Sequence, residues 1–213
     1  MKWLVLALSV ALAGCPAGDD APAPDAADPP GGGLVIAWAA RPEPIPGRID
    51  NRLTLAAATL RLRDARAIGD AGGGDPRTLA AMVELRWAAA VTPPALVFPD
   101  APTGLYARTS FDLDRGAEPF AYELTGTVEI RDVVEPFVVR DRDRLPVSFT
   151  YSVALPPGGT ARVPVRVDLD AVVRALDFEA APVVDGRRVV DGDGGQADVL
   201  RTEMGKAFGV HSP

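Results

Sequence analysis

The sequence predicts an all-β protein: an antiparallel β-sandwich of Ig-like or Greek-key type with a short C-terminal helix. Three observations carry that prediction. From residue 34 onward, apolar and polar residues alternate with period two in one segment after another. Clusters of Pro, Gly, Asp and Thr separate the segments, as turns require. No strand–helix unit repeats, so nothing argues for a parallel sheet.

The elements follow in order. "GLVIAW" (33–38) reads as a first strand. "RLTLAAATLRLR" (52–63) changes parity: Leu53 and Leu55 are odd, Leu60 and Leu62 even, so a bulge among Ala56, Ala57 and Ala58 is needed to keep one face. "MVELRW" (82–87) points Val83, Leu85 and Trp87 inward. "LYARTSFDL" (105–113) points Leu105, Phe111 and Leu113 inward. In "FAYELTGTVEIR" (120–131) Phe120, Tyr122, Leu124, Val128 and Ile130 share a face, with Gly126 on it as a mark of a bulge or close packing. "LPVSFTYSVAL" (145–155) and "ARVPVRVDL" (161–169) alternate throughout, and "PPGG" (156–159) reads as a hairpin turn between them. Pro164 has no N–H for a ladder, which predicts an edge strand. Turns fall at "GDAGGGDP" (69–76), "TPP" (92–94) and "PDAPTG" (99–104). Helix appears only late. "DAVVRAL" (170–176) gives one or two turns with Asp170 as N-cap. "QADVLRTEMGKAF" (196–208) sets Leu200, Met204 and Phe208 on one stripe.

Ahead of this domain the chain is organised differently. Met1 and Lys2 precede the apolar run "WLVLALSVALA" (3–13), which is short for a membrane span of about 20 residues and fits a signal sequence. "LAGC" (12–15) follows directly and ends on Cys15, the only cysteine in the chain. With one Cys and one His, no intramolecular disulfide and no cluster of Cys and His ligands can form. "LAGC" resembles a bacterial lipobox. That resemblance implies cleavage before Cys15, diacylglycerol on its sulfur and anchorage in a lipid membrane. An ordinary secretory leader with a coincidental Cys is the alternative. The residue after the cysteine is Pro16; in Gram-negative lipoproteins an Asp there resembles an inner-membrane retention signal, so its absence points to the outer membrane, on its periplasmic face or the cell surface. Residues 16–33, "PAGDDAPAPDAADPPGGG", lack apolar periodicity and read as an extended spacer. The expected organisation is a signal peptide (1–14), a lipidated tether (15–33) and one sandwich domain (34–213).

Composition excludes some functions. The chain has 47% hydrophobic residues, enough for a core, but a net charge of −7 and no basic run, which argues against nucleic acid. Aromatics at 6% argue against a surface that stacks on sugars or bases. The cations are nearly all Arg, a type suited to bidentate carboxylate pairing, although an Ala, Gly, Pro and Arg bias in the codons explains it as well.

Chemistry-bearing residues are few. His211, three positions from the end, would have to serve any Ser-His-Asp or Cys-His constellation, and a chain terminus is a poor place for a fixed base. "DGDGGQAD" (191–198) offers Asp191, Asp193 and Asp198 as weak calcium candidates. It has Gln196 where an EF-hand loop needs Gly and Thr202 where it needs Glu, so a solvated turn leading into a helix is the favoured reading. "RDRDR" (140–144) reads as a solvated hairpin tip. Trp38 and Trp87 are core residues first and a ligand platform second. Carboxylates are plentiful, so a glycosidase-like pair is open, but the sequence selects no two of them. No cofactor is implied.

"FPDAPTGLYART" (98–109) carries a Pro–x–Gly–x–Tyr approach into a strand. With "GLVIAW", "LTLAAATLRLRD" and "YELTGTVEI" around it, the domain resembles a group of uncharacterised bacterial envelope lipoproteins with β-sandwich domains of unknown function. That resemblance implies no catalytic residue. The expected role is non-enzymatic binding or support in the cell envelope, with an envelope protein partner. A carboxylate-based hydrolase and a calcium-stabilised, adhesion-like module are the alternatives.

Overall fold

The computed structural model describes residues 32–211. The leader, Cys15 and nearly all of the tether lie outside the described residues. The strands and helices run β1 (Gly33–Arg41), β2 (Gly47–Arg48), β3 (Leu53–Gly69), β4 (Leu79–Trp87), β5 (Leu96–Phe98), β6 (Gly104–Leu113), β7 (Tyr122–Ile130), β8 (Val133–Asp141), β9 (Leu145–Leu155), β10 (Thr160–Asp168), α1 (Leu169–Arg174), β11 (Val183–Val184), β12 (Arg187–Asp191), α2 (Ala197–Lys206) and β13 (Phe208–Val210). They make two sheets. The smaller has the order β13-β10-β1-β5; the larger has β11-β12-β8-β7-β3-β6-β9, with β2 and β4 also on β3.

The fold is the expected two-sheet, mostly antiparallel sandwich with a short helix near the C-terminus. Two pairs are parallel: β1 with β10, and β12 with β8. Each joins strands far apart in sequence, which a parallel pair needs because a tight turn cannot connect it.

β3 organises the larger sheet. Residues 58–60 pair with β7 and β4 at once, and residues 62–66 meet β6 and β4, so β7 and β6 share one edge of β3 and β4 takes the other. The predicted bulge lies in the register shift between Leu55 and Ala57; it turns Ala56 outward and keeps Leu53, Leu55, Ala58, Leu60 and Leu62 inside. A second shift between Arg63 and Arg66, at Asp64 with φ 52°, swaps parity again and buries Ala65 and Ala67. Gly126 lies opposite the first bulge; a Cβ there would collide with the Thr54 carbonyl and the Phe137 ring. Close packing therefore excludes a side chain at Gly126.

The core lies between the sheets. Val163, Val165 and Val167 of β10 and Leu34 and Ile36 of β1 face Leu60, Leu62, Tyr122 and Leu124 of the larger sheet, all buried. Each fully buried aliphatic side chain contributes about 1.5–3 kcal/mol. Phe111 and Phe208 meet edge to face across the gap, with centroids 5.0 Å apart. Leu200 and Met204 of α2, with Val172 and Val173 of α1, close one end.

Several local expectations change. In β6 a register shift between Tyr106 and Arg108 exposes Leu105 and buries Tyr106 and Thr109 instead. The Tyr106 hydroxyl donates to the Pro102 carbonyl at 2.7 Å, fixing the Pro–x–Gly–x–Tyr corner. "PPGG" does turn, with the Gly159 N–H on the Pro156 carbonyl, but it carries the chain from β9 in one sheet to β10 in the other and makes no hairpin. β10 is internal, between β1 and β13. The Pro164 carbonyl accepts from the His211 N–H, and the proline has no N–H to return, so β13 ends there. α1 starts one residue before Asp170; its N-cap is Asp168, whose carboxylate pairs with Arg166. Phe208 belongs to β13, because α2 stops at Lys206.

Candidate functional site

Two places concentrate the side chains that chemistry or binding would use. The first is the end of β8, the "RDRDR" stretch. It is no solvated hairpin tip: β8 and β9 pair with other strands, and every charge is engaged. The Arg140 guanidinium sits 4.5 Å from the centroid of the Phe120 ring and pairs with Asp191 at 3.0 Å. Arg142 pairs with Asp193, and Arg144 with Asp112. Asp141 is fully buried. Arg201 of α2 holds it, with Nε 2.7 Å from Oδ2 and Nη2 3.2 Å from Oδ1. The same Nη2 reaches the Asp143 carboxylate and the Gly192 carbonyl. The Tyr122 hydroxyl and the Asp143 N–H complete the shell of Asp141. Burial pushes the Asp141 carboxyl up, but the Arg201 bonds and the backbone N–H groups of Asp143 and Arg142 outweigh it and hold the carboxyl below its ordinary value. The same carboxylate raises Arg201, and burial next to it raises Tyr122. This cluster locks α2 to the larger sheet.

The lock also explains the "DGDGGQAD" turn. The chain turns there through Gly194 N–H to Asp191 carbonyl and Ala197 N–H to Gly194 carbonyl. A Cβ at Gly192 would fall on the Asp141 carboxylate, so the glycine is what admits the buried pair. Asp191 and Asp193 each face an arginine, and Asp198 lies in the first turn of α2. Among the described residues, no group of three or more His, Cys, Asp or Glu is placed to hold a metal ion. His211 accepts at Nδ1 from Arg166 Nη1 at 2.9 Å, and Arg166 in turn pairs with Asp168. Sequence reasoning missed Arg201 and Tyr122 as partners of Asp141; the signal was a charge at the inward parity of β8.

The second place is a cleft beside the end of β1. Trp38 comes from β1 and Trp87 from the end of β4; residues 42–45, with Pro42, Pro44 and Ile45, and residues between 88 and 95, with Val91 and Pro93, form its walls. Its volume is about 320 Å³. Trp87 is buried in the core and Trp38 is half-buried, so the two tryptophans serve as core and as cleft wall together. The Trp38 indole N–H is buried and meets no acceptor among the described residues. Glu43 and Arg162 supply one charge of each sign to the lining. Aromatic and proline walls around a few polar groups suit recognition of an uncharged, mainly apolar ligand.

Comparison with family models, curated proteins and solved structures finds no match to this chain.

Proposed function

We propose that the protein is a lipid-anchored module of the bacterial cell envelope that binds a partner rather than transforming a substrate. Cys15, which lies outside the described residues, is the acylation site, and the Pro/Asp/Gly tether spaces the sandwich from the bilayer. The cleft walled by Trp38 and Trp87 is the observation that carries the binding role: it is concave, largely apolar, and holds an indole donor with no acceptor among the described residues. Two acyl chains at Cys15 make the anchorage stable, since one chain alone holds a protein only marginally at about 0.8 kcal/mol per buried CH₂. The outer membrane is the proposed address, and a protein of the envelope the proposed partner.

The test is Cys15→Ala in the native host. The parent protein incorporates labelled palmitate and sediments with membranes. The variant loses both, while the melting temperature of its domain stays where it was. Palmitate on the variant, or membrane retention without it, overturns the anchor.

A further inference from the structure

β4 is an edge of the larger sheet, and among the described residues it pairs with β3 alone, from Leu79 opposite Arg66 to Trp87 opposite Ala58. The bonds of Arg61 fix which of its groups lie free. The Arg61 N–H bonds the Ala121 carbonyl and the Arg61 carbonyl accepts from Asp114, both on the side of β3 away from β4. Leu60 and Leu62 therefore turn toward β4 and pair with Leu85 and Val83, while the N–H and C=O of Met82, Glu84 and Arg86 point outward. Ala88 shares that outward parity and bonds Val91 with both of its groups. An open edge invites pairing, and proteins blunt edges with short strands, prolines or cover. The other edges of this fold are blunted. β2, β5, β11 and β13 have two or three residues each, and β9 carries Pro146 and lies beside β10 and β13. β4 has nine residues with no proline, no glycine and no register shift against β3, and it exposes Leu79 and Met82.

The geometry points to a second copy of this chain on that edge: two β4 strands pair antiparallel about a two-fold axis at Val83, joining the larger sheets of two molecules. The described residues select this register. An axis at Leu85 would place the partner's Met82 where Val91 already sits beside Ala88. An axis at Glu84 would set two carboxylates directly opposite one another, which is unfavourable. The axis at Val83 avoids both and uses the whole of β4, with Leu79 opposite the partner's Trp87 and Met82 opposite the partner's Glu84. A further slip only shortens the ladder. Charge is complementary in the same register. Glu84 faces its own Arg61 at 3.3 Å on one side. On the other side, in the same row of the outer face, lies the partner's Arg63, two strands or about 10 Å away and within reach over the partner's Met82. Arg63 makes no ion pair among the described residues of its own chain.

The experiment uses the full-length protein extracted from its host in detergent. Val83 and the partner's Val83 form a pair without mutual hydrogen bonds, so their Cα atoms lie about 4.5 Å apart, a separation a disulfide spans. Under mild oxidation Val83→Cys therefore gives a reducible dimer at about tenfold the yield of the parent, whose own Cys15 sets the background. Ala81→Cys and Leu85→Cys each stay near that background alone, and crosslink to one another when mixed, because those positions lie opposite in this register. Sedimentation of the parent gives twice the chain mass. Glu84→Pro, which removes an outward N–H that β3 does not use, returns it to the monomer at an unchanged melting temperature. A parent that sediments as a monomer at every concentration overturns the inference. So does crosslinking that is equal at the three positions or strongest away from Val83, and the cysteine series decides the matter even if Glu84→Pro fails to fold.

Discussion

Replacing Arg201 by Met keeps most of the aliphatic stem and removes the guanidinium from a fully buried carboxylate. Four contacts go: two to Asp141, at 2.7 and 3.2 Å, one to Asp143 and one to the Gly192 carbonyl. Breaking a buried pair from one side costs about 3–5 kcal/mol, because the remaining charge has no compensation. The Arg201 side chain is 29% exposed, so water reaches part of the site and the lower end, about 3 kcal/mol, applies. For a domain of this size about 3 °C of melting temperature follows each kcal/mol, giving a drop of about 10 °C at pH 7. The pH dependence has a definite sign. In the parent the folded Asp141 carboxyl titrates below its unfolded value, so its contribution is present at neutral pH and is lost as pH falls below the ordinary value of 3.8. In the variant only the backbone N–H groups of Asp143 and Arg142 oppose burial, so Asp141 titrates higher than in the parent and protonation relieves the penalty at higher pH. The gap between parent and variant is thus widest near pH 7 and narrows toward pH 4. Asp141→Asn added to Arg201→Met recovers part of the loss by removing the orphaned charge. Calorimetry across that pH range is the assay. A variant melting within about 2 °C of the parent at pH 7, or a gap that widens on acidification, refutes the reasoning.

Two further outcomes follow from the packing and the ion pairs. Gly126→Ala forces a methyl against the Thr54 carbonyl and the Phe137 ring, and costs about 1–3 kcal/mol in chemical denaturation; a neutral result would mean that β3 and β8 part easily there. Calcium leaves the melting temperature unchanged relative to chelator, because arginines already occupy Asp191 and Asp193; a rise that grows with calcium concentration would show that these pairs open for the ion.

The strands were legible in the sequence because each has one buried face, and burial of one face imposes period two. The bulge at Ala56 was legible for the same reason, since only an inserted residue reconciles Leu55 with Leu60. Where a bulge falls among polar residues, as between Tyr106 and Arg108, alternation alone gives the wrong parity for Leu105. Pairing partners were less legible. Pro164 marks a missing donor, but whether a strand lies beyond it depends on where residues 208–211 return, which is a long-range fact. The same holds for the candidate sites. In "RDRDR" the parity shared with Phe137 and Val139 turns Asp141 inward, but nothing local names its partner, Arg201, sixty residues on. Trp38 and Trp87 were visible as residues, but the cleft between them depends on β5 starting only at Leu96, after Pro93 and Pro94.

The account stands or falls most directly on the mature N-terminus. Intact-mass measurement of the protein extracted from membranes of its native host should find a chain starting at Cys15 and carrying a diacylglycerol on its sulfur. A chain that starts elsewhere, or starts at Cys15 with a free thiol, contradicts it.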